Sequence, residues 1–188
     1  MPNNFFQAVA GHSLGEYSAL VANGSLELDE SVRLLKIRSK AMQESMPLGT
    51  GGMIALIGFE NNAIDDLLKN VSDIGKIFLA NDNANGQVVL SGEIAAIDFV
   101  LDNIKEFKIK KAIKLSVSAP FHCKLMKHAS DVLKIELEKT NFKNFSVPLY
   151  SNVTSKQCHS SEIAELLVSQ VVSKVRWREI VENMIKDG

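Results

Sequence analysis

Apolar and polar positions follow two rhythms along this chain. Phe5 to Ala10 is a short apolar run, and a helix-compatible run from Glu16 to Ala22 closes on Asn23-Gly24, so the opening predicts strand, tight turn and helix. Ser25 to Asp29 predicts a turn with Asp29 as N-cap, followed by a helix from Glu30 to about Met46 that Pro47 and Gly49 end. Leu34, Arg38 and Met42 recur every fourth residue, flanked by Leu35 and Ala41, which sets a cation inside an apolar helix face.

From Met53 the period shortens. Strands are predicted at Met53 to Ile57, Ile77 to Asn81, Gln87 to Ser91 and Lys111 to Val117, with helices at Asn62 to Asn70 and Ala95 to Glu106. That βαββαβ order is the split βαβ, ferredoxin-like arrangement. It makes residues 49–116 a small subdomain inserted into an α/β-hydrolase-like core built from 1–48 and 117–188. Gly49, Gly51 and Gly52 lack the ending of a phosphate loop and predict a hinge, while Asn81 to Gly86 predicts a loop between the middle strands. Beyond the insert come a helix from Cys123 to Lys139, a strand from Val147 to Val153, and helices from Ser161 to Val172 and Arg176 to Lys186.

The turn after the first strand carries chemistry. Gly11-His12-Ser13-Leu14-Gly15 is Gly-x-Ser-x-Gly between a strand and a helix, the sequence form of a nucleophile elbow. Gly11 and Gly15 leave room where strand and helix cross, and the helix N-terminus aims its free N–H groups, beginning with that of Leu14, at an oxyanion beside Ser13. His122 ends a Ser/Ala/Pro loop where a helix begins, so it is the candidate general base; a structural histidine is the other reading. His12 is expected to pack under the elbow, and His128 and His159 fall in polar surroundings. Arg38 either snorkels to water along its stem or meets an anion in a cleft, where a forked donor matches a carboxylate.

The chain has 188 residues, 46% of them hydrophobic, and a net charge of −1. This composition supports a buried core and gives no general case for nucleic acid. Lys105, Lys108, Lys110, Lys111 and Lys114 cluster, as a solvated face or toward an acidic partner. No stretch is apolar enough for a membrane span, and Cys123 and Cys158 lack metal-ligand spacing, so free thiols, no metal and a cytoplasmic setting are expected.

Taken together, Gly-His-Ser-Leu-Gly-Glu-Tyr-Ser-Ala-Leu, Arg38 with Met42, Asn81 to Gly92, and Pro120-Phe121-His122-Cys123-Lys124-Leu125-Met126 resemble the malonyl-CoA:acyl-carrier-protein transacylase family of fatty-acid synthesis. The resemblance implies that Ser13 is acylated and His122 is its base. It also implies that Arg38 holds the malonyl carboxylate, Leu14 offers a backbone oxyanion donor, and the backbone carbonyl of Gln170 orients the histidine. Met42 and Asn152 are implied as site-lining residues, and Phe121 matches the malonyl-selecting form of its motif. Malonyl-CoA and acyl carrier protein are the implied partners, with no cofactor. That family carries a preceding Gly-Gln-Gly-Ser-Gln segment and a later Gly-Pro-Gly segment, neither of which occurs in this sequence, so a truncated chain is expected. Two rivals remain: a serine esterase using Ser13, Asp82 and His122 in hydrolase order, and a remnant that keeps the fold or carrier binding without turnover.

Overall fold

The computed structural model describes residues 6–60 and 62–188. In chain order the elements are β1 (Val9–Ala10), α1 (Gly15–Ala22), α2 (Leu28–Glu44), β2 (Gly51–Ile57), α3 (Ala63–Val71), β3 (Ile77–Ala84), β4 (Gln87–Glu93), α4 (Ile94–Asp102) and β5 (Lys111–Lys114). A 3-10 turn (Lys124–Met126), α5 (Lys127–Leu137), β6 (Leu149–Tyr150), β7 (Gln157–Cys158), α6 (Ile163–Val172) and α7 (Trp177–Asp187) complete the mixed α/β chain. None of the described helices is long and apolar enough to cross a membrane.

Two sheets organise these elements. The smaller runs β1-β6-β7, with β1 parallel to β6, and the larger runs β3-β4-β2-β5 with every neighbour antiparallel. Period-two patterning in β2 divides its side chains between two faces. Ile54 and Leu56 enter an aliphatic core with Leu67 and Val71 of α3 and Ile97 and Val100 of α4. Met53 and Ala55 face the other way, toward Val89, Val117 and Phe121. A separate core joins α1, α2, α5 and α6 through Leu20, Leu34, Leu133 and Leu167, all fully buried.

Several sequence expectations shift in register. Helix α2 starts at Leu28 after an extended Glu27, so Asp29 is not the N-cap; it and Glu30 sit in the first turn, where their charge still complements the helix dipole. Gly51 and Gly52 form no hinge. They lie in β2, and a Cβ on Gly51 would come within 2.5 Å of the Pro120 ring, so glycine permits the close approach of the segment that carries His122. Asn81 to Asn83 are not loop but strand, because Val175 pairs with the outer edge of β3: the Val175 N–H donates to the Ala80 carbonyl at 2.8 Å and the Asp82 N–H to the Val175 carbonyl at 2.9 Å. The turn shrinks to Asn85-Gly86, with Gly86 at a φ of 72° as a two-residue hairpin demands. Other strands and helices end earlier than their patterns suggest: α4 at Asp102, β5 at Lys114 and β6 at Tyr150. The Phe5 end of the first predicted strand lies outside the described residues, and β7 carries too short a pattern to have been predicted.

Candidate active site

The β1–α1 connection holds Ser13 at a φ of 55°, a left-handed conformation that costs a non-glycine residue of order 1 to 3 kcal/mol. Close packing imposes it. A Cβ on Gly11 would lie 1.9 Å from the Gly15 carbonyl oxygen, so that position admits only glycine. Gly15 differs from its sequence expectation, since a Cβ there would meet nothing within 4 Å.

Turn geometry also revises the supply of free N–H groups. Those of Gly15, Glu16 and Tyr17 donate to the carbonyls of His12, Ser13 and Leu14, at 2.9, 3.1 and 3.1 Å. The Ser13 N–H donates to Asn152 Oδ1 at 2.7 Å. Among the described residues the Leu14 N–H has no acceptor, which leaves it as the donor available to an oxyanion at this turn.

Ser13 Oγ lies 2.7 Å from His122 Nε2, and His122 Nδ1 lies 3.0 Å from the Gln170 backbone carbonyl. A carbonyl can only accept. Nδ1 therefore carries the proton, Nε2 presents its lone pair, and the serine hydroxyl donates to it. Burial first, and then the Arg38 charge, push the His122 pKa down to about 3, so the imidazole is neutral at ordinary pH. His122 also has a left-handed φ of 59°, and Ser91 of β4 donates to the adjacent Phe121 carbonyl at 2.6 Å, so the larger sheet helps to hold the histidine loop.

Arg38 does not snorkel. It is 6% exposed, donates from Nη2 to Ser13 Oγ at 2.8 Å and to Gln170 Oε1 at 3.1 Å, and lies 5.9 Å from the Tyr17 ring centroid. Its Nε is buried without an acceptor. A cation so placed, with a donor to spare, suits an incoming anion.

Three further expectations change. Met42 is 3% exposed in the core beneath α2, and Asn152 is fully buried with its amide spent on the elbow, Nδ2 donating to the Gly11 carbonyl at 2.7 Å. Asn152 therefore braces the turn rather than lining a substrate surface. Asp82 does not approach His122. It forms a bidentate pair with Arg178, at 3.1 and 2.8 Å, which removes the serine-esterase triad. His12 is half-buried beside the elbow, donating to Asn83 Oδ1 at 2.9 Å with Trp177 5.5 Å away, while His128 and His159 are exposed. The five clustered lysines are exposed as well. A cavity of about 1080 Å³ between Asp66, Phe99 and Phe107 is lined by Lys108 but by none of Ser13, Arg38, His122, Asn152 or Gln170.

Sequence reasoning missed Glu16. It is fully buried, its Oε1 accepts the Asn152 N–H at 3.1 Å, and its Oε2 accepts from Gln170 Nε2. Only its place inside Gly-Glu-Tyr, a charge on a helix otherwise apolar around it, could have marked it.

Fold and site together define an α/β protein with a serine–histidine pair on a strand–helix elbow and a buried arginine against the serine. The chain belongs to the acyl transferase domain family, which matches residues 6–188. It is 41% identical over 183 residues to the malonyl CoA-acyl carrier protein transacylase of Haemophilus influenzae, a match covering 97% of this chain and 59% of that protein. With the Escherichia coli K12 protein of the same name it shares 40% identity, over 96% and 59%. The acyl-carrier-protein-S-malonyltransferase of Bartonella henselae superposes with a TM-score of 0.92 at 42% identity, covering 97% of this chain and 58% of that one. A malonyl-transacylase solved in complex with its type II PKS acyl-carrier protein superposes at 0.93 with 41% identity, covering 97% and 59%. The chain thus spans about 59% of the length of the curated relatives it matches.

Proposed function

We propose that this chain carries the acyl-transfer site of a malonyl-CoA:acyl-carrier-protein transacylase, acting through a malonyl-serine intermediate. The observation that supports it most is the convergence on one oxygen: Ser13 Oγ lies 2.7 Å from His122 Nε2 and 2.8 Å from Arg38 Nη2. In the first half-reaction Ser13 Oγ attacks the thioester carbonyl, His122 Nε2 takes the hydroxyl proton, and the Leu14 N–H donates to the oxyanion. Collapse expels coenzyme A, whose thiolate takes that proton from His122. The phosphopantetheine thiol of the carrier then gives its proton to His122 and attacks the seryl ester carbonyl; the ester bond breaks, Ser13 Oγ takes the proton back from His122, and the malonyl group leaves as the carrier thioester. Arg38 leaves Ser13 Oγ to pair with the malonyl carboxylate, and an uncharged acetyl group would leave this buried cation unanswered.

The larger sheet, with order β3-β4-β2-β5 and helices α3 and α4 on one face, supports a ferredoxin-like unit over residues 49–116. The elbow with its parallel β1–β6 pair supports an α/β-hydrolase-like core from 1–48 and 117–188. Buried, unpaired Cys123 and Cys158 favour a reducing, cytoplasmic setting.

Incubation with radiolabelled malonyl-CoA, followed by peptide mapping, tests the proposal. Label is expected on Ser13 and lost in Ser13→Ala. Burial pushes the Cys123 and Cys158 thiols up to about 11 and about 12, so neither competes as a nucleophile. Label on a cysteine, or label kept by Ser13→Ala, overturns the assignment; a folded chain that takes none favours the remnant.

A further inference from the structure

Beneath the elbow lies a buried hub that the acyl-transfer steps above do not use. Glu16 divides its two carboxylate oxygens between two residues, Asn152 and Gln170. Each of those residues holds a reacting group. The Asn152 amide clamps the elbow through the Ser13 N–H and the Gly11 carbonyl, both at 2.7 Å. Gln170 holds the His122 ring with its backbone carbonyl, while its side-chain Nε2 donates to the Ser13 carbonyl at 3.0 Å and its Oε1 accepts from Arg38.

We propose that Glu16 is a positioning residue for acyl transfer: its ionised carboxylate, accepting from Asn152 and Gln170 together, fixes Ser13, His122 and Arg38 in register. This deepens the acyl-transfer reading and rests on it. The donor–acceptor count carries the inference. The Arg38 guanidinium carries only donors, so Gln170 must turn Oε1 toward it and therefore Nε2 toward Glu16. The Asn152 backbone offers Glu16 an N–H as well. Both partners donate, so a protonated or amidated Glu16 would set one of its own hydrogens against a donor and release one side of the hub.

Burial raises the Glu16 pKa to about 7, against the opposing pull of the Gln170 and Asn152 hydrogen bonds, of the Arg38 charge and, least, of the Ser151 hydroxyl. The charged and titratable groups facing it are Arg38 on α2, Tyr17 on α1 and Cys158 on β7. Burial, against the pull of the Arg38 charge, pushes Tyr17 up to about 12, burial pushes Cys158 up to about 12, and His122 ionises only near 3, so none of these three titrates near neutrality; burial draws Arg38 down from its ordinary value, with Tyr17 and Glu16 pulling it back up.

A fluorophosphonate probe tests this without relying on malonyl recognition. Ser13 Oγ displaces fluoride from phosphorus and His122 takes the proton, so the labelling rate reads the pair alone. In the full chain the rate is expected to rise with pH through about 7 and then level, following ionisation of Glu16. Glu16→Gln should lower the plateau by about 10-fold to 100-fold, as for an unsatisfied buried donor, and remove the inflection. A wild-type rate with no inflection near neutrality overturns the proposal even if Glu16→Gln fails to fold. So does a folded Glu16→Gln protein labelled as fast as wild type, or one that keeps the inflection. Slow, flat labelling of Glu16→Gln beside a wild-type chain that takes no malonyl from malonyl-CoA supports the positioning role and counts against malonyl transfer alone. No labelling of wild type overturns both.

Discussion

The four-stranded unit and the elbow region bury different things. Between α3, α4 and the larger sheet the interior is aliphatic, from Ile54 and Leu56 to Leu90 and Val100. The buried polar residues of that sheet, Asn81, Asp82 and Ser91, all lie where it meets the rest of the chain: against Val175, Arg178 and the Phe121 carbonyl. Around the elbow the reverse holds, with Glu16, Arg38, His122, Asn152 and Gln170 all buried in mutual contact. Apolar packing is forgiving of detail and stabilises by area. A buried polar network costs desolvation at each group and holds only while every partner is present, which gives it one geometry. The first region keeps the chain folded, and the second sets atoms.

The sharpest break between them is Ser13→Ala. Malonyl transfer should fall by about 10³-fold or more while the thermal midpoint stays near that of wild type, as read by initial rates beside a melting curve. Arg38→Ala comes next, expected to cost about 2 to 4 kcal/mol of transition-state stabilisation for malonyl and close to none for acetyl. Equal losses for both substrates would make Arg38 purely structural. On the other side of the comparison, Leu56→Ala should cost about 2 to 5 kcal/mol of stability in denaturant titration, with per-molecule labelling of Ser13 unchanged while the chain remains folded. Asp82→Asn belongs to the seam and weakens a pair whose Arg178 is partly exposed, so a loss of about 1 kcal/mol in stability is expected, without the collapse in rate that a triad aspartate would show.

The pH dependence of stability sharpens the comparison as well. With His122 at about 3 in the folded chain and near 6.5 when exposed, the unfolded chain binds the extra proton between those values and stability rises with pH. Glu16 acts with opposite sign. Its pKa of about 7 against 4.5 means that the folded chain binds the extra proton, so stability falls as pH rises across that interval. The two slopes oppose between 4.5 and 6.5. Below 4.5 the histidine contribution continues alone of the two, so His122→Gln should make the acid branch of a melting-temperature profile shallower.

Local pattern was enough for much of this molecule. Period two in Met53 to Ile57, period 3.6 in α2 and the Gly-x-Ser-x-Gly turn are short-range signals. Sterics and amphipathicity act within a few residues, so strand, helix and elbow were legible before any fold was known. The four-residue row around Arg38 and the loop-to-helix place of His122 marked those two as candidates, while resemblance to a known family joined them to Ser13 and added Gln170, which no spacing rule connects. What only the tertiary structure decided concerns partners distant in sequence. Asn81 to Asn83 are strand because Val175 supplies a second edge, and Asp82 meets Arg178 rather than His122. Asn152 turns inward because the elbow backbone needs both ends of its amide. Glu16 is a hub because α6 and the segment after β6 bring two donors to it. A hydrogen bond between residues more than ninety positions apart leaves no periodic trace, since each end is chosen to suit a neighbour that only folding provides.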